Sequence, residues 1–130
     1  MNRHPIELLI EKADAAINHE DFDTLVDIYA ADAVLVVKPG TNARGKTEIR
    51  RAFAAIAAHF RHGVDVKQAG MKILEAEDTA LVLARTVVSA PGIAPITRFA
   101  TYVFKKSPSG DWLCVIDNSY GHELLADTDS

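Results

Sequence analysis

Two spacings of hydrophobic residues divide the chain into a helical first half and a β-stranded second half. Between Pro5 and Asn18 the apolar residues recur at helical intervals and form one stripe, which consists of Ile6, Leu9, Ile10, Ala13 and Ile17. This spacing predicts a first helix over that range. Pro5 suits the first helical position, because its missing N–H has no helical partner there.

A second stripe predicts a helix that leads into a buried strand. Asp21 has a side chain that accepts hydrogen bonds at a helix N-cap. The stripe behind it consists of Phe22, Leu25, Val26 and Tyr29. We expect this helix to end at residues 30–32. The apolar run at residues 34–37 then predicts a short buried strand.

A third helix is expected after a polar loop. Pro39 and Gly40 break the strand, and residues 41–45 are mostly polar. Thr47 is the expected cap of the helix, and Gly63 is expected to end it. Its apolar residues again follow helical spacing, and they are Ile49, Ala52, Phe53, Ile56 and Phe60.

After Gly63 the apolar residues alternate with polar ones, which is typical of strands. The predicted strands cover roughly residues 64–75, 79–89, 96–106 and 112–120. Gly70 is expected to mark a bulge or a bend. Short turn sequences join consecutive strands, so the sheet should be an antiparallel meander with three helices covering one face. We therefore predict a single α+β domain over residues 1–130.

Composition and charge exclude several classes of function. The chain has 130 residues and a net charge of −4, and it lacks the basic cluster that nucleic-acid binding needs. No apolar run reaches the ~18 residues of a membrane span, so no membrane partner is expected. The first five residues lack the apolar core of a signal peptide, and the single cysteine, Cys114, fits a reducing compartment. A cytoplasmic location is the expectation.

The order of the predicted elements and four short segments resemble the nuclear transport factor two-like superfamily. The segments are residues 16–23, 25–37, 43–49 and 112–118, and the last resembles the snoaL-like and ketosteroid-isomerase-related small domains. The resemblance implies a cone-shaped fold, in which a curved antiparallel sheet wraps around three helices and leaves one pocket. Some members are isomerases, dehydratases or polyketide cyclases, and others bind, transport or assemble. The fold alone therefore leaves the function open.

The residues that ketosteroid isomerases use are absent from the matching positions. The resemblance places the carboxylate base at Lys38, the catalytic tyrosine near Ala13 and the donor aspartate near Thr101. An ammonium group cannot replace a carboxylate base. Steroid isomerisation is therefore not the expected activity.

Asp117 in the last strand is the candidate acid or base. The resemblance implies that its face of the strand points into the cavity. The residues expected on that face or beside it are Leu113, Val115, Ser119, Phe99 and Val103. Desolvation among them would raise the pKa of Asp117, which suits general acid–base catalysis. In the alternative interpretation the carboxylate only accepts hydrogen bonds from a neighbouring Thr, Arg or Tyr and organises the fold.

Several other residues are candidate pocket residues. Tyr29 matches a superfamily position near the pocket, and its hydroxyl could orient a ligand or Asp117; alternatively, it is a core aromatic residue. Thr101 and Ser119 could give hydrogen bonds to a ligand, and Phe53 could add an apolar wall.

Three cationic residues are also candidates for binding a ligand. Lys38 falls at the mouth of the pocket in the resemblance, although an exposed surface lysine is the simpler interpretation. Arg85 and Arg98 lie on predicted strands, where they could hold a carboxylate substrate or pair with Asp117. The alternative for both is the solvated outer face of the sheet.

Three functions remain open from the sequence. The first is an isomerase, dehydratase or cyclase that needs no metal or organic cofactor and acts on a small apolar or amphipathic molecule. A second titratable group near Asp117 would distinguish it. The second is a non-catalytic ligand-binding domain, and the third is an assembly module. A homodimer fits all three, because the apolar residues at 81–84 and 86–88 suggest a covered outer sheet face.

Overall fold

Three helices pack on one side of a six-stranded sheet. The computed structural model describes residues 3–127, so the two ends of the predicted domain, residues 1–2 and 128–130, lie outside the described part. The helices are α1 (Pro5–Asn18), α2 (Phe22–Val26) and α3 (Gly45–His59), and a short 3-10 helix covers Gly121–Asp127. The strands are β1 (Tyr29–Lys38), β2 (Thr41–Arg44), β3 (Asp65–Ala76), β4 (Thr79–Ala90), β5 (Ile93–Lys106) and β6 (Trp112–Asn118).

The sheet has the strand order β2-β1-β6-β5-β4-β3 and curves around the helices. Strands β3 to β6 form the predicted antiparallel meander. The β1 strand joins it by pairing with β6 in parallel, and β2 closes a hairpin on β1. The predicted α+β class is confirmed, with helices on one face of a curved, open sheet.

The first helix has the bounds that its apolar stripe predicts. Pro5 stands in its first turn, and the His4 ring accepts a hydrogen bond from the backbone N–H of Ile6 at 3.1 Å. Of its stripe, Ile6, Ile10 and Ala13 are buried and Leu9 and Ile17 are partly buried, and Ala16 is buried beside them. None of the helices within residues 3–127 is long and apolar enough to cross a membrane.

The second helix is shorter than its stripe predicts. It ends at Val26, and Tyr29 begins β1 instead of closing the helix. The prediction of a helix to residues 30–32 is therefore wrong. Tyr29 pairs with Cys114 of β6, and this long-range pairing overrides the helical preference of the two alanines that follow it.

The segment predicted as a polar loop is the strand β2. Residues 42, 43 and 44 pair with β1, and only Ala43 is buried, so the segment shows no alternating apolar pattern. The α3 helix then starts at Gly45, and Thr47 is not its cap. Instead, the Glu48 carboxylate accepts a hydrogen bond from the N–H of Arg44 at 2.9 Å, which satisfies one free N–H at the helix start.

The inner face of the sheet carries much of the core. Even-numbered residues of β4 and β5 point inward, and Val82 and Phe104 are almost fully buried there. The odd-numbered residues point outward. The predicted irregularity at Gly70 is confirmed, because the β3–β4 register shifts between Gln68 and Gly70.

A bulge changes the alternation on β6. Cys114 pairs with Phe104 and Ile116 pairs with Val103, so Val115 is an extra residue opposite a single step of β5. As a result, Cys114 is buried on the inner face, whereas Ile116 is 44% exposed.

Candidate functional site

A cavity lies between the helices and the inner face of the sheet. Its volume is about 210 Å³, which is below the ~300–1,000 Å³ of pockets for drug-sized ligands and therefore suits a small molecule. Most of the wall is apolar, with contributions from Ile10, Ile17, Val36, Phe53, Val88 and Phe104.

Asp117 presents one fixed and one free carboxylate oxygen in this cavity. The Tyr29 hydroxyl donates a 2.5 Å hydrogen bond to Oδ2 of Asp117. The other oxygen, Oδ1, is buried and has no hydrogen-bond partner among the described residues. A buried carboxylate oxygen without a partner is costly, so this atom is a ready acceptor for a proton or for a ligand donor.

The surroundings of Asp117 change its protonation. Burial raises its pKa from 3.8 to about 6, and the hydrogen bond from Tyr29 opposes part of that rise. The group therefore exchanges a proton close to neutral pH, which is the range where a general acid or base works best.

Asp14 on α1 is a second carboxyl group in the same cavity. Burial raises its pKa to about 6, a hydrogen bond from Gln68 opposes the rise, and the charge of Asp117 adds to it. The Gln68 amide donates to Oδ2 of Asp14 at 2.8 Å. Because ionisation of one carboxyl group disfavours ionisation of the other, the pair can hold one proton near neutral pH.

Two phenol groups remain protonated beside these carboxyls. Burial, followed by the charge of Asp117, raises the pKa of both Tyr29 and Tyr102 well above 10. Tyr102 pairs in register with Asp117 across β5 and β6, and its hydroxyl shares a hydrogen bond with the Ser119 side chain. Both phenols are therefore hydrogen-bond donors at physiological pH.

Together these groups can transfer protons. Two carboxyl groups exchange protons near pH 6, and two phenols can stabilise negative charge on a substrate oxygen. Within residues 3–127, no three His, Cys, Asp or Glu side chains are grouped so that they could bind a metal ion.

A family model described as the SnoaL-like domain matches residues 6–115, which is most of the chain. This chain belongs to the SnoaL-like family. The family is part of the NTF2-like superfamily, as the resemblance predicts. No curated protein matches this SnoaL-like chain.

Solved structures share the SnoaL-like chain's fold at low sequence identity. An NTF2-like protein of unknown function from Pseudomonas putida KT2440 has a TM-score of 0.76 and 18% identity, over 86% of this chain and 80% of its own. A proposed dehydratase of the NTF2-like family from Streptomyces avermitilis has a TM-score of 0.69 and 23% identity, over 86% and 89%. A proposed ketosteroid isomerase from Shewanella frigidimarina has a TM-score of 0.75 and 15% identity, over 88% and 93%. At these identities the likeness shows the fold alone.

Five of the residues predicted for the site lie in the cavity wall of the SnoaL-like chain, and Arg98 is one of them. Asp117 and Tyr29 meet there through their hydrogen bond, and Ser119 and Phe53 line the same cavity. The ring centroids of Tyr29 and Phe53 are 6.4 Å apart, so Phe53 packs near the phenol that holds Asp117.

The other predicted pocket residues do not line the cavity, and their expected placement is corrected. Those on the sheet are Phe99, Thr101, Val103, Leu113 and Val115. On β5 the even-numbered residues point inward, so the odd-numbered ones point outward. On β6 the bulge at Val115 puts Asp117 inside, whereas Leu113 and Val115, which precede it on the alternating pattern, stay outside the cavity wall. Lys38, at the end of β1, is exposed and also lies outside the cavity wall.

The two strand arginines take different positions. Arg98 lines the cavity, whereas Arg85 is exposed beside a groove on the outer face of the sheet. Neither forms an ion pair with Asp117 in the described part of the chain.

Asp14 and Tyr102 are the site residues that the sequence analysis missed. A signal for Asp14 exists, because it stands four residues after Ile10 and three before Ile17, within the apolar stripe of α1. A carboxyl group in such a stripe indicates a buried acid. Tyr102 would follow from the alternation of β5 once Phe104 is assigned to the core.

Proposed function

We propose that this SnoaL-like protein is a cofactor-independent acid–base enzyme, an isomerase, dehydratase or cyclase, that acts on a small and mostly apolar molecule bound in the cavity. The observation that supports this proposal most directly is the free Oδ1 atom of Asp117. It is buried in a mostly apolar cavity without a partner among residues 3–127, while Tyr29 holds the other oxygen in place. A purely architectural aspartate would have both oxygens satisfied.

The carboxyl pair supplies the base and the acid of the proposed reaction. In its ionised form, Asp117 removes a proton from a substrate carbon through Oδ1. The neutral Asp14 gives a proton to a substrate oxygen, and the Tyr102 phenol donates a hydrogen bond to the negative charge that develops there. One proton enters the pair and one leaves it, so the pair still holds one proton, now on Asp117. That proton passes to Asp14 through exchange with solvent before the next cycle, which restores the starting state.

Dehydration is the reaction that uses both carboxyl groups most directly. Loss of water needs a base at the carbon and an acid at the departing hydroxyl, and Asp117 and Asp14 supply these two functions. A proposed dehydratase and a proposed ketosteroid isomerase both share the fold, so the choice of dehydration rests on the two carboxyl groups.

The first experiment is a screen of small hydroxy-carbonyl compounds, in which loss of water is followed by the absorbance of the conjugated product. We expect Asp117→Asn to lower kcat/KM at least about a hundredfold, because the variant lacks the base. Asp32→Asn is the matched control, since Asp32 is exposed on β1. Full activity of Asp117→Asn would contradict the proposal.

A non-catalytic ligand-binding domain is the second candidate function. The mainly apolar cavity wall favours it, because such a wall binds small hydrophobic molecules without further chemistry. In that case, compounds that stabilise the wild type in a thermal-shift screen would be recovered unchanged. Asp117→Asn would then bind the same compounds.

We also propose that the protein is a homodimer joined through the outer face of the sheet. Leu74, Leu81, Val103 and Ile116 stand in register across four strands of that face, and the first, second and fourth are 36–50% exposed. A continuous apolar patch on a small protein is typical of an interface, and a two-fold interface can bury it against its own copy.

Sedimentation velocity of two matched variants tests the dimer. Leu83→Glu places a charge on the outer face, where Leu83 is 45% exposed, and should give a monomer. Leu8→Glu changes a leucine on α1 that is 50% exposed and should leave a dimer. A monomeric wild type would contradict the proposal. The cytoplasmic location and the lack of nucleic-acid and membrane partners stay predictions.

A further inference from the structure

We propose that the substrate carries a carboxylate group and that Arg98 binds this group inside the cavity. This inference rests on the proposed function, because it names the class of substrate for the same site. Arg98 would recognise the substrate at one end of the cavity, and the carboxyl groups of Asp14 and Asp117 would transfer protons at the other.

Arg98 is the cation of the cavity. Among the described residues that line it, Arg98 alone has a side chain with a permanent positive charge. The side chain is 26% exposed, so most of it is shielded from water. Shielding strengthens its attraction for an anion, because the local dielectric constant is lower than that of water.

The Arg98 guanidinium group is held in place by an aromatic ring and forms only a weak ion pair. It lies over the Tyr120 ring at 4.5 Å from the ring centroid, and Tyr120 also lines the cavity. Its carboxylate contact is with Glu123 at 3.7 Å, and the Glu123 side chain is 64% exposed, so solvent weakens this ion pair. This contact with the ring restrains the guanidinium group and leaves its N–H groups for a planar anion.

The position of Arg98 along β5 sets the shape of the substrate. Arg98 and Tyr102 both belong to the inward-facing set of β5 and are four residues apart, which corresponds to about 13 Å along an extended strand. Tyr102 pairs with Asp117 on β6. A molecule that reaches both positions has its carboxylate at one end, an apolar spacer, and the reacting carbon at the other end.

Arg98 allows the cavity to accept an anionic substrate beside two carboxyl groups. Asp14 and Asp117 would repel an incoming anion, and Arg98 offsets that repulsion at the end where the anion binds. An arginine fork binds a carboxylate through two parallel hydrogen bonds, which a neutral amide cannot reproduce in full. We therefore infer a small hydroxy or oxo acid with a hydrocarbon spacer.

The test measures binding and does not depend on turnover. Straight-chain and phenyl-terminated carboxylic acids of increasing length are titrated calorimetrically, each beside its primary amide. We expect the wild type to bind at least one acid roughly tenfold more tightly than its amide, which is the size expected for a charged hydrogen-bonded pair. Arg98→Gln should bind both members of that pair equally.

Two further variants keep the test decisive. Arg85→Gln removes an arginine of the outer face and should retain the preference for the acid. Arg98→Lys keeps the charge but loses the fork, so most of the preference should disappear even if Arg98→Gln folds poorly. Equal binding of acids and amides by the wild type, or no binding of either, overturns the inference. A preference that survives in Arg98→Gln also overturns it. Because Asp117 is intact throughout, such a failure is distinct from a failure of the proposed acid–base function.

Discussion

The inner face of the sheet carries charged side chains in an apolar cavity, and its outer face carries apolar side chains exposed to water. The inner face presents the carboxyl of Asp117 and the guanidinium of Arg98 to a largely apolar cavity, whereas the outer face exposes Phe99 at 66% and Leu83 at 45%. Buried charge and exposed hydrocarbon both cost free energy. Each face is therefore incomplete alone: on the functions proposed above, a ligand completes the inner face and a second copy of the chain covers the outer face.

The strongest way to separate the two faces is to place the same charge on each. Val82→Glu buries an unpaired carboxylate at a position that is 0% exposed, and we expect it to lower the free energy of unfolding by about 3–5 kcal/mol. Leu83→Glu, one residue later on the outer face, should change the monomer's stability by less than about 1 kcal/mol.

Urea denaturation followed by circular dichroism measures both variants, at a protein concentration where Leu83→Glu and wild type are in the same oligomeric state. Equal losses of stability in the two variants would contradict the assignment of the faces.

A pH series is the next test, because the free energy that is lost by burying Asp117 depends on whether its carboxyl group is ionised. The pKa of Asp117 is about 6 in the fold and 3.8 without it, so the folded state binds the proton more tightly. Its contribution to stability is complete below pH 3.8 and is lost as the pH rises through 6. The loss is about 2–3 kcal/mol for this group.

We therefore expect the free energy of unfolding to fall between about pH 4 and pH 7, with Asp14 adding to the trend. Asp117→Asn should flatten this dependence, and Asp32→Asn should leave it as in the wild type. A wild type whose free energy of unfolding rises over this pH range would contradict the raised pKa values of Asp117 and Asp14.

A smaller effect on stability is expected when Asp117 is kept and only its hydrogen-bond donor, the Tyr29 hydroxyl, is removed. Tyr29→Phe removes the hydrogen bond to Asp117 and should lower stability at pH 7.5 by about 1–2 kcal/mol. Since that hydrogen bond lowers the pKa of Asp117, the variant should also move the carboxyl titration to higher pH, which carbon NMR of the labelled carboxyl groups can follow. An unchanged midpoint would mean that the hydrogen bond does not act on the ionised form.

The smallest effect concerns the turn that leads from β6 to the 3-10 helix on the outer side. Gly121 has φ of 56°, and a Cβ there would lie 2.9 Å from the carbonyl oxygen of Phe99. Gly92 has φ of 80° and open space around it, so Gly92→Ala reports the backbone strain alone. We expect Gly121→Ala to cost about 1 kcal/mol more than Gly92→Ala in thermal unfolding. Equal costs would show that the turn can move away from β5.

The sequence predicts most of the fold, because the deciding signals are local. The bounds of α1 follow from Pro5 and a helical stripe, and the hairpin turns separate strands of plain alternation. The failures come from long-range pairing. Tyr29 joins a strand because β6 lies beside it, and β2 has one buried residue, Ala43, which is too few to form a pattern.

The candidate site is less predictable for the same physical reason. The pairing of Tyr29 with Asp117 follows from the resemblance, but the neighbours of Asp117 depend on the bulge at Val115. No glycine or other local signal marks that bulge, since the run around it alternates normally. Asp14 was predictable in principle, because its carboxyl group stands within the apolar stripe of α1 and is buried with that stripe.

The bulge leaves the end of β6 locally frustrated. Regular pairing would direct Ile116 inward and Asp117 outward, which is the arrangement that hydrophobicity alone would select. The protein instead keeps the isoleucine on the outer face and the acid in the interior, and natural sequences retain such conflicts mainly where function requires them. Loss of the bulge would shift the last residues of β6 into a register one residue away. In a lineage released from selection for the acid, we expect this strand to slip into that register while the rest of the architecture survives.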